Sequence, residues 1–299
     1  MLSLFKRNIP DFIKAPINNI RNSMRWKRQF NEIINFYDNK KNLNSDEEEV
    51  IHYLKKAGGL VVFPYDYTTS WDYLSVKVYF DESIGLSYVL HNTHRLYFRR
   101  NMTEVEIKGV YFGLLNEQNK KSPHLYLTED FSVDEGSIIV DIGAAEGIFT
   151  LSVIEKIKQA YLFETEDTWI EALNYTFKPW ADKIQIINKF VSDEDRGDQI
   201  TLDNFFKDTE INFIKADVEG AESKVLAGAN LILSRNNNIK IAITTYHKQF
   251  DFEEFAELLG NKYGFSVQHS NGYMLFYITN NLRPPYLRRG ILRASKSLS

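Results

Sequence analysis

From Ser132 onward, short apolar runs alternate with stretches in which apolar residues recur every three or four positions. The runs SIIVDIG, QAYLFE, IQIINKF, INFIKAD and IKIAITTY are apolar on both faces, as strands buried beneath helices on either side must be. They predict strands near 137–142, 160–164, 184–188, 211–216 and 239–244, with helices near 146–157, 166–177, 221–233 and 251–260. The expectation is an α/β fold, a doubly wound and mostly parallel sheet. The segment FSVQHSNGYMLFYIT carries Asn271-Gly272 between two alternating runs and predicts a closing antiparallel hairpin.

The first 130 residues follow a different pattern. Ile13, Ile17, Ile20, Met24, Ile34 and Tyr37 recur at helical spacing, with Pro16 early enough for a first turn. Ser45 and Glu48 form a capping-box pair for a second helix that stops at Gly58-Gly59. The aromatic-rich segments LVVFPYDY, LSVKVYFDE, LSYVLH and HRLYFRR read as short strands, and Thr103 with Glu106 caps a third helix. The expected organisation is an N-terminal α+β region over 1–130, the α/β domain over 131–282 and a basic tail over 283–299.

The 299 residues include no cysteine, which excludes disulfides, thiolate metal sites and a cysteine nucleophile. No apolar run reaches the ~18 residues that span a bilayer, and the first residues lack the apolar core of a signal peptide, so the expected location is the cytoplasm. The net charge of −4 is uneven: residues 1–30 carry +6, residues 283–299 carry +5 through Arg283, Arg288, Arg289, Arg293 and Lys296, and the body between carries −15. Basic ends on an acidic body point to an anionic surface, such as the inner membrane face, and away from nucleic acid.

Three acid-bearing strand ends hold the candidate chemistry. In Asp141-Ile142-Gly143-Ala144-Ala145-Glu146-Gly147 an acid precedes a glycine turn, where Gly143 permits a tight turn and Gly147 lets the next helix pack close. This is not the GxGxxG pattern that holds a pyrophosphate. Asp141 either faces a cationic ligand, of which S-adenosylmethionine is one, or caps the turn. Glu164 ends the next strand about twenty residues after the glycine turn, the spacing of a carboxylate that accepts ribose hydroxyls. Asp217-Val218-Glu219-Gly220-Ala221-Glu222 brings three acids to the carboxyl edge of the sheet, where open α/β sheets bind ligands. Glu219 and Glu222 serve either the acceptor or the dipole of the following helix.

DIGAAEGIFTL, YLFE, VSDED, ITLDNFF and above all IKADVEGAESKVLAGA resemble the FkbM-type S-adenosylmethionine-dependent methyltransferases over about Asp134 to Tyr277. The resemblance implies a Rossmann-like class I methyltransferase sheet, S-adenosylmethionine as cofactor and S-adenosylhomocysteine as product. It assigns Asp141, Gly143 and Gly147 to the cofactor loop, where Thr150 also fits, Glu164 to the ribose and Asp193 to a position near the adenine; Ala144, Ala145 and Asp217 are further candidate cofactor contacts. Ala145 departs from the family, which commonly carries asparagine there. Methyl transfer to a hydroxyl of a sugar, glycolipid or polysaccharide precursor is likewise what the resemblance implies.

His247, in Thr244-Thr245-Tyr246-His247-Lys248 at the end of the last parallel strand, is the candidate general base, with Asp217 beside it. Tyr246 and His124 are candidate acceptor contacts. Asp217, Glu219 and His247 could hold a divalent metal, although their spacing fixes no coordination geometry. Tyr65, Tyr67, Trp71 and Tyr73 either stack on sugar rings or pack the core. A Rossmann-fold enzyme using NAD and a non-catalytic cofactor-binding module are the alternatives, and an oligomer is compatible with the pattern.

Overall fold

The computed structural model describes residues 20–69, 72–278 and 282–296, with the backbone alone for 20–23. Ile13, Pro16, Ile17 and Trp71 lie outside the described residues, as do Lys6, Arg7 and Lys14. Helix α1, Ile20–Asp38, buries Ile33 and Tyr37 but leaves Met24 67% exposed, so its apolar stripe holds only in its second half. Helix α2, Ser45–Ala57, is capped one residue earlier than the sequence suggests. The Asn44 side chain accepts the Glu47 N–H, and the Glu47 carboxylate accepts the Asn44 N–H. Strands β1 (Tyr79–Asp81), β2 (Leu86–His91) and β3 (His94–Tyr97) form an antiparallel sheet. LVVFPYDY is not a strand: it runs through turns into a 3₁₀ turn at Asp66–Thr69. Helix α3, Glu104–Glu117, has the expected Thr103–Glu106 capping box.

The α/β part follows as β4 (Ser137–Ile142), α4 (Ile148–Ser152), β5 (Ile157–Phe163), α5 (Asp167–Thr176), β6 (Ile184–Ile187), β7 (Phe190–Val191) and β8 (Gln199–Ile200). Then come α6 (Leu202–Phe206), β9 (Phe213–Ala216), α7 (Glu222–Ala227), α8 (Asn230–Arg235), β10 (Ile239–Thr244), α9 (Asp251–Glu257), β11 (Ser266–His269) and β12 (Ile291–Lys296). Among the described residues seven strands form one sheet in the order β11-β12-β10-β9-β4-β5-β6, and β12 alone runs against the others. Successive strand residues bury opposite faces. Ile139, Phe213 and Ala242 join one apolar cluster, while Val140, Ile214, Ile241 and Ile243 join another.

Two expectations fail here. The basic tail expected over 283–299 is overturned by Ile291–Lys296, an inner strand with Ile291, Leu292 and Ala294 fully buried. The Asn271-Gly272 turn does not fold β11 onto the residues that follow it. The Tyr273 and Leu275 N–H groups are taken by the Tyr65 hydroxyl and the Val62 carbonyl, and β12 becomes the partner of β11. The N-terminal region shares its core with the α/β domain. Val89, Leu96, Phe98 and Ile107 share a core with Ile139 and Phe149, and α1 and α2 pack Ile33, Tyr37 and Leu54 with Leu275, Tyr286 and Leu287.

Four of the five C-terminal cations are spent inside the fold, and Arg283 stays exposed. Arg288 donates to the carbonyls of Tyr246 and His247, and Arg293 to those of Leu125 and Tyr126. Arg289 pairs with Asp46 at 2.7 Å, and Lys296 donates to the Leu233 carbonyl. The unopposed charge read from the sequence therefore does not face outward as one patch. Among the described residues no helix is long and apolar enough to cross a membrane.

Candidate functional site

The parallel ladder between β4 and β9 sets Asp141 opposite Lys215. Asp141 is fully buried, accepts the Thr150 hydroxyl at 2.8 Å and lies 3.1 Å from the Lys215 ammonium. Lys215 also donates to the Gly143 carbonyl at 2.8 Å. This corrects the expectation that Asp141 faces a cationic ligand: its charge is met inside the sheet, and Thr150 holds it there. Lys215 was given no role from sequence, although a lysine inside the apolar run INFIKAD is itself a signal, since a buried ammonium needs a partner.

The glycine turn is built as expected. A Cβ at Gly143 (φ 72°) would lie 2.0 Å from the Asp217 carbonyl oxygen, so only glycine lets the turn touch the end of β9. A Cβ at Gly147 (φ 80°) would meet Leu173 and Phe177 of the α5 region. Ala145 sits at φ 48°, a left-handed conformation that suits asparagine better than alanine, so the departure at this position leaves some strain in the turn. The Ala145 N–H donates to Glu164 at 2.8 Å, and the Thr165 and Glu166 N–H groups donate to the other Glu164 oxygen. Glu164 thus ties the turn after β4 to the end of β5, with three of about four acceptor sites filled from the backbone. Asp193 is half exposed, accepts the Ser192 hydroxyl and lies 3.5 Å from Lys224 of α7. Those bonds, with Ser192 first, hold its carboxyl below the usual range.

At the ends of β9 and β10 the chain gathers Asp217, Glu219, Glu222 and His247. Glu219 (φ 56°) and Gly220 (φ 96°) are left-handed, and the loop they form brings Glu222 within 4.8 Å of Asp217 and His247. Glu222 is fully buried: it accepts the N–H groups of Val218 and Gly220 and the Thr244 hydroxyl, and lies 2.9 Å from His247 Nδ1. It therefore does not reach an acceptor, as had been expected of it. His247 Nε2 stands 3.9 Å from Asp217 and 3.6 Å from the exposed Glu219. The Tyr126 hydroxyl donates to Asp217 at 3.0 Å, and His124 Nε2 is 3.8 Å from the same carboxylate. Tyr246 and Phe276 pack on the His247 ring, and Tyr246 also packs on His124.

Burial works against a charged imidazole at His247, but the Glu222 hydrogen bond and the charges of Glu222, Asp217 and Glu219 outweigh it and raise its pKa. Burial likewise works against the Glu222 carboxylate, and His247 outweighs it, so the Glu222 pKa is lowered. Burial, reinforced by the Asp217 charge, pushes the Tyr126 phenol well above its usual value and keeps it a donor. Tyr126, Phe276 and Arg288 are contributors the sequence reading missed. Tyr126 gave no motif, and Phe276 was assigned to a hairpin.

Residues 140–267 match the sequence profile of the methyltransferase FkbM domain. A solved FkbM methyltransferase from Methylobacillus flagellatus is similar at 17% identity and a TM-score of 0.46, over 65% of this chain and 56% of that one. The chain thus spans little more than half the length of that protein. A precorrin-6y C5,15-methyltransferase from Geobacter metallireducens is similar at 10% identity and a TM-score of 0.40, over 70% of this chain and 97% of that one. Among curated proteins no match is found. The matched segment contains all of the site except His124 and Tyr126, which come from the segment just before β4, and Phe276 and Arg288, which come from the segment between β11 and β12.

Proposed function

We propose that the FkbM domain transfers a methyl group from S-adenosylmethionine to a hydroxyl oxygen at the carboxyl ends of β4, β5, β9 and β10. The observation that carries this reading is the meeting of His247 with Asp217 and Glu219 beside the Gly143 turn. An imidazole set among carboxylates at a sheet edge is suited to accept a hydroxyl proton. The residues fit the cofactor: the turn backbone approaches closely at Gly143, Glu164 stands at the next strand end, and the acidic edge suits a sulfonium cation. When bound, S-adenosylmethionine supplies an electrophilic methyl group. Glu222 fixes the imidazole through Nδ1, which leaves Nε2 toward Asp217 and Glu219 as the proton-accepting side. Tyr126 orients Asp217, and Tyr246, Phe276 and His124 wall the acceptor side and limit water.

The acceptor in this proposal is a saccharide, as a free sugar unit, glycolipid or polysaccharide precursor, whose hydroxyls match the exposed Glu219 and whose ring faces match Tyr246 and Phe276. A cytoplasmic setting with contact to an anionic membrane also belongs to the proposal, resting now on the N-terminal cations and the exposed Arg283. Calorimetry with S-adenosylhomocysteine, together with S-adenosylhomocysteine release in the presence of saccharide acceptors, tests the reading. Binding and acceptor-dependent release support it. Absence of binding overturns the cofactor assignment, and binding without release from any hydroxyl acceptor overturns the O-methyl transfer.

A further inference from the structure

We propose that Asp217, Glu222 and His247 form a binding site for one divalent cation of the first transition row. One ligand atom from each residue can be chosen so that all lie within 4.8 Å of one another. An ion 2.0–2.6 Å from each ligand holds its ligands no more than about 5 Å apart, so the three need little movement to share it. The sequence suggested Glu219 as the third ligand. The left-handed Glu219-Gly220 pair instead turns Glu222 inward and leaves Glu219 at the rim.

A second observation points into the same spot. Glu222 Oε1 takes the loop N–H groups, the Thr244 hydroxyl and the imidazole, whereas Glu222 Oε2 is buried and has no hydrogen-bond partner among the described residues. A buried carboxylate oxygen without a donor is costly and is well matched to a cation. The buried cations nearby are committed elsewhere: Lys215 to Asp141 and Gly143, Arg288 to the Tyr246 and His247 carbonyls, Arg293 to Leu125 and Tyr126. The two buried carboxylates therefore have no lysine or arginine between them, only His247 near both and His124 near Asp217.

The surroundings resemble the outer shell of a metal centre. Tyr126 orients Asp217 and Thr244 orients Glu222, the kind of support that fixes ligand direction. Glu219, with 43% of its side chain exposed, marks the way in and can add a fourth ligand. One imidazole with carboxylates, and no thiolate in the chain, suits Mn²⁺, Fe²⁺ or Co²⁺ better than Ca²⁺ or Mg²⁺, which favour oxygen alone. Ion binding is independent of the methyl-transfer reading. Only its use rests on that reading: with the ion bound, His247 would be a ligand, and the ion would lower the pKa of a bound acceptor hydroxyl in place of the imidazole acting as base.

The test is a titration of the EDTA-dialysed full chain with MnCl₂, following the free-Mn²⁺ electron paramagnetic resonance signal. The expected result is one bound ion per chain, loss of binding in both Glu222→Gln and Asp217→Asn, and about 10–100-fold weaker binding in Tyr126→Phe. Asp134→Asn, which alters an exposed acid paired with Lys240, leaves affinity unchanged. No bound Mn²⁺ in the wild-type chain overturns the proposal without any variant having to fold. Wild-type affinity in folded Asp217→Asn does the same. S-adenosylhomocysteine calorimetry on the same samples keeps the two readings apart, since ion binding without cofactor binding sinks the cofactor assignment and leaves the metal site standing.

Discussion

Asp141 and Asp217 end neighbouring strands of one sheet and are both buried, yet they face opposite circumstances. Asp141 has a lysine directly across the ladder and a threonine hydroxyl on its other oxygen, and its charge is closed off. Asp217 receives one tyrosine hydroxyl and has two imidazoles at hydrogen-bond fringe distance, 3.8 and 3.9 Å. The two sites are one strand apart. An acid at a strand end is thus a candidate for chemistry only when the adjoining strand does not already neutralise it. Here the first acid braces the glycine turn through Lys215, and the second meets Tyr126, His124 and His247.

The sharpest way to break this contrast is Lys215→Met. It strands Asp141 in the sheet without a counter-charge and should cost about 3–5 kcal/mol in urea unfolding, with most of the loss recovered in the Asp141→Asn, Lys215→Met double variant. A wild-type midpoint for the single variant would mean that Asp141 is not held by that pair. On the other side of the contrast, His247→Ala should lower kcat by about 10²–10⁴-fold while S-adenosylhomocysteine affinity measured by calorimetry stays nearly constant. Wild-type turnover would return His247 to a structural role and leave Asp217 as the base.

A smaller effect belongs to the strand beyond Asp141. Glu164→Ala should weaken S-adenosylhomocysteine by about 1–3 kcal/mol, through the lost hydrogen bonds and a slackened turn at Ala145. Unchanged affinity would make Glu164 a loop tie and nothing more.

The mildest signal is the dependence of stability on pH. His247 has a raised pKa when folded, so its contribution is complete below the unfolded value of 6.5 and is lost as pH rises above it. Burial raises Asp251 from 3.8 to about 6, so the folded chain holds that proton longer and loses stability as pH climbs between those values. Glu222 is lowered, and its contribution is complete above 4.5 and fades as pH falls below. Thermal unfolding should therefore show this cluster contributing less at pH 8 than at pH 5, with the difference reduced in His247→Ala. An unaltered profile in that variant would separate His247 from the trend.

What the chain disclosed beforehand was local. The strands 137–142 and 239–244 sit where the apolar runs put them, because strands buried on both faces leave little room for another reading. The glycine turn and the approach of His247 to Asp217 were equally legible, from residue type and strand order. The hidden parts depend on contacts between distant positions. Lys215 meets Asp141 across 74 residues of chain, Tyr126 reaches Asp217 across 91, and Tyr65 takes the backbone that the Asn271-Gly272 signal would have used for a hairpin. Glu222 and Glu219 could not be told apart from spacing, because two left-handed residues between them decide which one turns inward.

The position of β12 has a consequence for synthesis. Residues 288–296 leave the ribosome after every other strand of the large sheet, yet they fill the gap between β10 and β11, and Arg288 secures the carbonyls on which the His247 loop hangs. A nascent chain that has released everything through β11 still lacks the piece that completes the sheet and steadies its imidazole. The edge that carries His247 is completed only when this late segment threads into place.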